Sequence, residues 1–461
     1  MNVQDKIAVH DNILAYESPA KLLKMFAWPA IISMLANSLY NIIDQIFIGH
    51  AVGYLGNAAT TVTFPIVTVV LAVATLFGVG GSAVAAIRLG EGRKDIAEKV
   101  LNTVVTVALV IGIVMTIIGL SIMDPLLILF GATENTMEYS RQFGSVMILI
   151  IPVSILIIAL ANLARADGNP QIAMRGMVSG VILNFVLAPL FIFAFKWGVL
   201  GAAFATACAQ LLSLFIFVRY FTLKSNMRLQ KAYLLNPDWR LGFQVATLGF
   251  SSCILQSGAT LLQVVMNNAL LYYGDLSGVG GDLAISAMGV VMKVNMIVIS
   301  ICIGIGAGSQ PIIGFNKGAG QLQRVKEVYL LAVKIASAVT IFGWLCCQFI
   351  PEPLLAIFGV DNPEFMDFAV ACMRLFLGGV FLAGFQIIST SYFQATGQPL
   401  KASFLSTLRQ LLLLLPLLII LPWWYGITGI LYAGMISDFG SAMIIGIFMY
   451  FELKKLNQAK I

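Results

Sequence analysis

The stretch Asp124-Pro125-Leu126-Leu127-Ile128-Leu129-Phe130-Gly131 recurs as Glu352-Pro353-Leu354-Leu355-Ala356-Ile357-Phe358-Gly359, 228 residues later. The same spacing, within one residue, relates three other pairs. Gly90-Glu91-Gly92 matches Gly318-Ala319-Gly320, Ala166-Asp167-Gly168-Asn169-Pro170 matches Ala395-Thr396-Gly397-Gln398-Pro399, and Trp197-Gly198-Val199 matches Tyr425-Gly426-Ile427. The chain therefore reads as two halves built on one plan. Around these markers run twelve apolar stretches of about twenty residues or more, from 22–48 to 427–451, six in each half; that length is what an α-helix needs to cross a bilayer. The expected fold is all-α and integral to the membrane, with twelve transmembrane helices in two homologous six-helix lobes around a central cavity. The lobes are 1–221 and 242–461, joined by a connector at 222–241 that carries the turn signal Asn236-Pro237-Asp238.

Composition supports this reading. Of 461 residues 59% are hydrophobic and 10% charged, against about 25% charged in a soluble domain. No ten-residue stretches of strand-period alternation occur, which argues against a membrane β-barrel. The first twenty residues are polar, and the apolar run after them is too long for a signal-peptide core and lacks a cleavage site, so no cleaved signal is expected. The net charge of +6 is spread over short connectors and is no nucleic-acid footprint. Of 27 basic residues, 21 lie at the termini and even-numbered connectors, two (Arg141 and Lys196) on the opposite side, and four (Lys293, Lys334, Arg374, Arg409) inside the runs. By the positive-inside rule this asymmetry puts both termini in the cytoplasm of a multi-pass protein of the cell (inner) membrane. All six cysteines lie in apolar runs without metal-ligand spacing, and a core packing role is expected for them.

Ionisable residues within the runs are costly and so carry functional hypotheses. Asp44 lies in the first run with Ser33, Asn37, Tyr40 and Asn41 at helical spacings of three and four, forming one polar stripe. An aspartate in such a poorly hydrated pocket can load and release a proton near neutral pH; the competing reading is a structural carboxylate bonded to its Asn and Tyr neighbours. Weaker stripes are Ala202, Thr206 and Gln210 in the sixth run, and Gln256, Thr260, Gln263 and Asn267 in the seventh. They suit loosely bound amphiphilic guests, or else interhelical hydrogen bonds. Lys293, Arg374, Arg409 and Asp438 are expected to include pairs that fix helices. Together Asn37, Tyr40, Asn41, Asn162, Gln210, Gln256, Gln263, Asn267, Lys293 and Asp438 are the candidates for the substrate cavity. With two histidines in the chain, His10 and His50, neither a His-ligated metal site nor a Ser-His triad can be assembled. Gly78-Val79-Gly80-Gly81-Ser82-Ala83 fits a loose dinucleotide pattern but lacks the preceding strand, and reads as close helix packing. Prolines at 29, 65, 152, 189, 311 and 416 are expected to break or kink spans whose neighbours re-satisfy the backbone.

Several stretches resemble the multidrug and toxic compound extrusion (MATE) family, particularly its bacterial MepA-like branch. They are Asp44, Arg165-Ala166-Asp167-Gly168-Asn169-Pro170 with Ala173-Met174, Asn184 through Pro189-Leu190-Phe191-Ile192, Gly201-Ala202-Ala203 with Ala205-Thr206, Gly308 through Asn316, and Phe393-Gln394-Ala395 with Gly397. The resemblance implies a secondary active transporter rather than an enzyme, with no cofactor and no metal, exporting varied and often cationic organic compounds as a monomer among membrane lipids, with no nucleic acid partner. It also implies an ion-coupling site whose matching positions here are Asp44, Asn184, Ala188 and Thr206. The family pattern has Asp before the proline, where this chain has Ala188. With one carboxylate left, H+ is the expected coupling ion, ahead of Na+. The alternative is a lipid-linked saccharide flippase of the same wider superfamily, for which Lys293 and Arg374 are the basic cavity candidates. A passive channel is disfavoured because no ring of pore-lining charge is evident.

Overall fold

The computed structural model describes residues 13–52, 54–130, 132, 134–356 and 363–458; within its helices, the side chains of 37–46 and 49–59 and a few others lie outside the description. Its first half holds α1 (Pro19–Val52), α2 (Tyr54–Gly90), α3 (Lys94–Ser121), α4 in two pieces (Glu134–Leu149 and Ile151–Ala166), α5 (Pro170–Pro189, prolonged by a π turn Leu190–Ala194) and α6 (Gly198–Leu223). A connector with the short helix Lys231–Leu235 leads to α7 (Trp239–Ser277), α8 (Gly281–Gly318) and α9 (Leu322–Phe349). Then follow α10 in two pieces (Pro363–Phe376 and Ala383–Ala395), α11 (Pro399–Thr407, a π segment Leu408–Leu414, then Leu415–Tyr425) and α12 (Ile427–Gln458).

Nine of these are long and apolar enough to cross a membrane unbroken, and two more do so as bent pairs, α4 by 50° and α10 by 44°. With α1 the count is twelve, as the sequence implies. The breaks have local causes. Pro152 opens the second piece of α4, and Pro189 precedes the π turn of α5. Pro29, Pro65 and Pro311 sit inside continuous helices, the behaviour tolerated where neighbours satisfy freed carbonyls. Helix starts are capped by the residues the sequence offers: Asn169 accepts from the Ile172 amide ahead of Pro170. Asp238 accepts from the amides of Arg240 and Leu241 at the start of α7, each cap worth about 1 kcal/mol.

The outer faces are strongly apolar: Ile117, Ile182, Phe215 and Phe342 are each at least 60% exposed. Trp197 and the run Trp423-Trp424-Tyr425 are exposed where α5–α6 and α11–α12 turn, as in an interfacial aromatic belt. At that end Arg141 is held by Asp124 through two bonds of 2.8 Å, so one of the two basic residues there is locally neutralised.

At the end that carries the termini, the halves are tied by backbone contact. An ideal Cβ on Gly249 of α7 would stand 1.8 Å from the Leu76 carbonyl oxygen of α2, and one on Gly304 of α8 would stand 2.7 Å from Cα of Ile31 in α1. Gly90 of α2 and Gly318 of α8 meet each other's helices in the same way, at 2.0 Å from the Phe315 carbonyl and 2.1 Å from that of Ile87. Gly90 and Phe315 correspond to Gly318 and Ile87 across the 228-residue repeat, so the seam obeys a pseudo-twofold axis. Core packing also crosses it. Leu22, Leu23 and Phe26 of α1 join a core with Ile312, Phe315, Tyr329 and Tyr392, while Val245 and Leu248 of α7 join one with Val84, Leu101 and Leu163.

Candidate functional site

Asn184 on α5 and Thr206 on α6 lie opposite each other where these helices pack side by side. The Asn184 amide donates to Thr206 Oγ1 at 3.2 Å, and that hydroxyl donates to the Ala202 carbonyl one turn earlier at 3.1 Å. Both side chains are buried, and an unpaired amide there would cost about 1–3 kcal/mol. One turn on, Ala188 is fully buried in an apolar cluster with Ile48, Ile192, Ala202 and Ala205. Its methyl fills the place where the family pattern has a carboxylate. α1 packs along α5, so the helix of the Asp44 stripe adjoins this pair; the side chains of Asn37, Tyr40, Asn41 and Asp44 themselves lie outside the described residues.

The other candidates are dispersed. Asn162 donates to its own helix at Ile158 and accepts from Arg165 Nη1 at 2.9 Å. Gln210 accepts from Ser154 at 2.6 Å, joining α6 to α4. Gln263 donates to Asn267 one turn along α7 at 2.9 Å, Gln256 is half-buried and Lys293 exposed. Asp438 is drawn into the second lobe, 1% exposed, in an ion pair with Arg409 Nε at 2.5 Å. Of the four residues expected to supply helix-fixing pairs, Arg409 and Asp438 do so; Lys293 and Arg374 are exposed. A groove of about 410 Å³ opens at the terminal end of the seam between Ile87, Arg88, Glu91, Phe243, Gln244 and Thr396, and takes no residue from α5 or α6.

Sequence reasoning passed over one buried acid outside the spans. Asp167, in the turn between α4 and α5, is 3% exposed. It accepts from Tyr220 Oη and Ser225 Oγ at 2.6 Å each, and from the amides of Asn226 and Met227 at 3.2 and 3.3 Å. Burial pushes its carboxyl above the ordinary range, and the four donors oppose that rise. The clasp holds the start of the connector on the first lobe, and Asn102 continues it by donating to the Arg228 carbonyl and accepting from the Gln230 amide. Its signal in the sequence is the Asp-Gly-Asn-Pro turn; the partners lie 53 to 60 residues away in a segment with no pattern of its own.

The MatE family profile matches residues 29–190 and again 257–420. The chain belongs to the MatE family. The two matched segments lie on either side of the connector. The multidrug export protein MepA of Staphylococcus aureus (strain MSSA476) is 25% identical over 430 residues, 93% of each chain, and that of Staphylococcus saprophyticus is 26% identical over 442 residues, 94% of each. The solved structure of the MATE multidrug transporter DinF-BH, determined as a complex, is 33% identical, with a TM-score of 0.86, over 93% of this chain and 95% of that one. A MOP superfamily transporter from Pyrococcus furiosus, described as having a binding pocket of reverse polarity, shares the fold at 21% identity with a TM-score of 0.89 over 96% of this chain and 98% of that one. As a MatE protein the chain is a multi-pass membrane transporter and not an enzyme.

Proposed function

We propose that this MatE protein exports amphiphilic, often cationic organic compounds by alternating access, in exchange for protons taken up at Asp44 of α1, the helix that packs along α5 with its Asn184–Thr206 pair. The observation that carries the choice of ion is Ala188. A sodium ion is held by several oxygens that together replace its hydration, and here the methyl of Ala188 is packed among alkyl groups where a second carboxylate would stand. A proton needs one base. Asn184 and Thr206, each both donor and acceptor, can serve either protonation state of Asp44. Protonation then removes the charge that attracts a cationic guest, which gives the competition that exchange requires. The names of the MepA relatives and of the multidrug transporter DinF-BH support drug-like cargo.

In this reading the lobes are 1–221 and 242–461 with the connector 222–241 between them, the termini face the cytoplasm of the cell (inner) membrane, and one chain suffices for transport. The glycine seam then closes the cytoplasmic side. The flippase alternative needs free basic groups lining the cavity; Arg409 near mid-span is neutralised by Asp438, which leaves Lys293 and Arg374 as its basic candidates. Purified protein in liposomes should move a cationic dye under an imposed pH gradient in sodium-free buffer. Transport that requires sodium and ignores the pH gradient overturns the proton assignment; transport of lipid-linked sugar without dye export overturns the cargo assignment.

A further inference from the structure

Asp438 sits where two irregularities of the second lobe converge. It projects from α12 eleven residues after Ile427, so it lies roughly 16 Å along that helix at 1.5 Å per residue. Facing it is the break of α10, where an ideal Cβ on Gly379 would come within 2.4 Å of the Asp438 Cβ. That break bends the span by 44° through a 3₁₀ turn at Val380–Leu382. On its other side is the π segment Leu408–Leu414 of α11, whose second residue, Arg409, makes the ion pair. Helix irregularities of this kind are frequent at functional sites.

The pairing at this point is incomplete. Arg409 engages Oδ1, while Oδ2 of Asp438 is buried with no donor. Gln386 of α10, 4% exposed, donates to the backbone carbonyl of Asp438 at 2.8 Å and leaves its own Oε1 buried and without a donor. Two buried acceptors on adjoining helices thus lack a hydrogen. Other ionisable side chains on the helices packed around α12 include, among the described residues, Lys334 on α9 and Arg374 on α10, both exposed, the thiols of Cys253, Cys346, Cys347 and Cys372, and the phenol of Tyr392; none is bonded to Asp438. Among the described residues the first lobe has no counterpart. Across the repeat Asp438 corresponds to Gln210, whose Oε1 is satisfied by Ser154, and the Asn184–Thr206 pair lies one helical turn nearer the α5–α6 turn.

We propose that Asp438 is a second proton-coupling acid of this transporter, paired with Arg409 when ionised and releasing Arg409 when protonated. The proposal rests on the proton-exchange reading above and adds a second ion to it. In the step itself hydronium gives its proton to Oδ2 of Asp438, forming the carboxylic acid and leaving water. The reverse transfer to water on the other side restores the carboxylate. The neutral acid supplies the missing donor at Oδ2, and it no longer holds the Arg409 guanidinium, which is 23% exposed against 1% for Asp438. The contact that joins α11 to α12 beside the break of α10 is thereby loosened in one protonation state and tightened in the other. This gives the second lobe its own mechanical response to protons, while the competition with the cationic guest that exchange requires stays with Asp44.

The test measures proton stoichiometry with ethidium as the transported cation. Protein in liposomes is poised at a series of pH gradients and membrane potentials, and the condition of zero net dye flux gives protons per dye. The wild type should give two, Asp438→Asn one, and Arg409→Lys two. Because Asp438→Asn strands the arginine, the double variant Asp438→Asn/Arg409→Gln is measured beside it and should also give one. Infrared difference spectra on acidification should show protonated-carboxyl absorption whose intensity falls in both Asp438 variants and stays partly present in Asp44→Asn. A wild-type ratio of one, or an unchanged ratio in the variants, overturns the proposal, as does protonated-carboxyl absorption that is undiminished without Asp438. Flux indifferent to pH would instead overturn the proton reading of transport, and the infrared titration would still decide whether Asp438 takes a proton.

Discussion

Asn184 and Thr206 form a buried neutral pair between α5 and α6, and in the proposed exchange they serve the proton-bearing acid without carrying charge. If the proton-bearing group is Asp44, Asp44→Asn should abolish driven efflux while the protein still folds and reaches the membrane, as judged by its size-exclusion profile. Dye efflux at the wild-type rate would place the coupling acid elsewhere. Thr206→Val removes one hydrogen bond worth about 1 kcal/mol, so the proton concentration for half-maximal transport should move by a factor of about five. At Asp167 the sign of the pH effect follows from its raised carboxyl. The folded group holds its proton to a higher pH than the unfolded one. Its contribution to stability is therefore greatest below the unfolded value and declines as pH rises through the window between the two. Thermal unfolding in detergent should show the gap between the wild type and Asp167→Asn changing across that window and constant above it; a gap flat at all pH values would show that the clasp does not titrate. The family resemblance brought Asn184 and Thr206 forward as candidates, and the structure pairs them with each other. Sequence reading singled out Asp438 and Arg409 as members of a set of four without saying which would meet, because 29 residues and a change of helix separate them. Asp167 escaped it since its donors are hydroxyls and amides with no pattern.

At the scale of helices, the seam is set by where side chains are absent. Gly249 lies so close to the Leu76 carbonyl that any Cβ must push α7 away from α2, and backbone on both sides cannot yield as a flexible side chain does. Gly249→Leu should therefore disfavour the closed seam. Spin labels placed on the terminal ends of α2 and α7 should show a longer distance than in the wild type, with dye export reduced; an unchanged distance would mean that the helices repack without parting. The run of glycines near residue 80 was read from sequence as close packing, and Gly80 does meet the backbone of Val245. What could not be read was the partner, since the helices that touch belong to different halves. The same limit applies to α1 and α7, whose terminal ends pack into the opposite core.

For the whole molecule, sidedness is the property most open to direct test. The 21 basic residues at one end and two at the other predict which end faces the cytoplasm. In a background without native cysteines, Ser277→Cys should react with a membrane-impermeant thiol reagent from outside intact cells, and Leu235→Cys, in the connector and 81% exposed, should react after lysis alone. Labelling of position 235 in intact cells would reverse the orientation. The sequence by itself determined the fold class, the twelve crossings, the division into related halves and the charged face. Each is written locally, in runs of apolar residues, short connectors and a repeat that survives as motifs. Only the tertiary structure decided which polar groups meet: Asp438 with Arg409, Asp167 with Tyr220 and Ser225, and the glycines with the opposite half. In a bundle of long apolar helices nearly every face is compatible with burial. The hydrophobic pattern therefore leaves rotation and neighbours undetermined, and they are fixed by contacts between residues far apart in the chain.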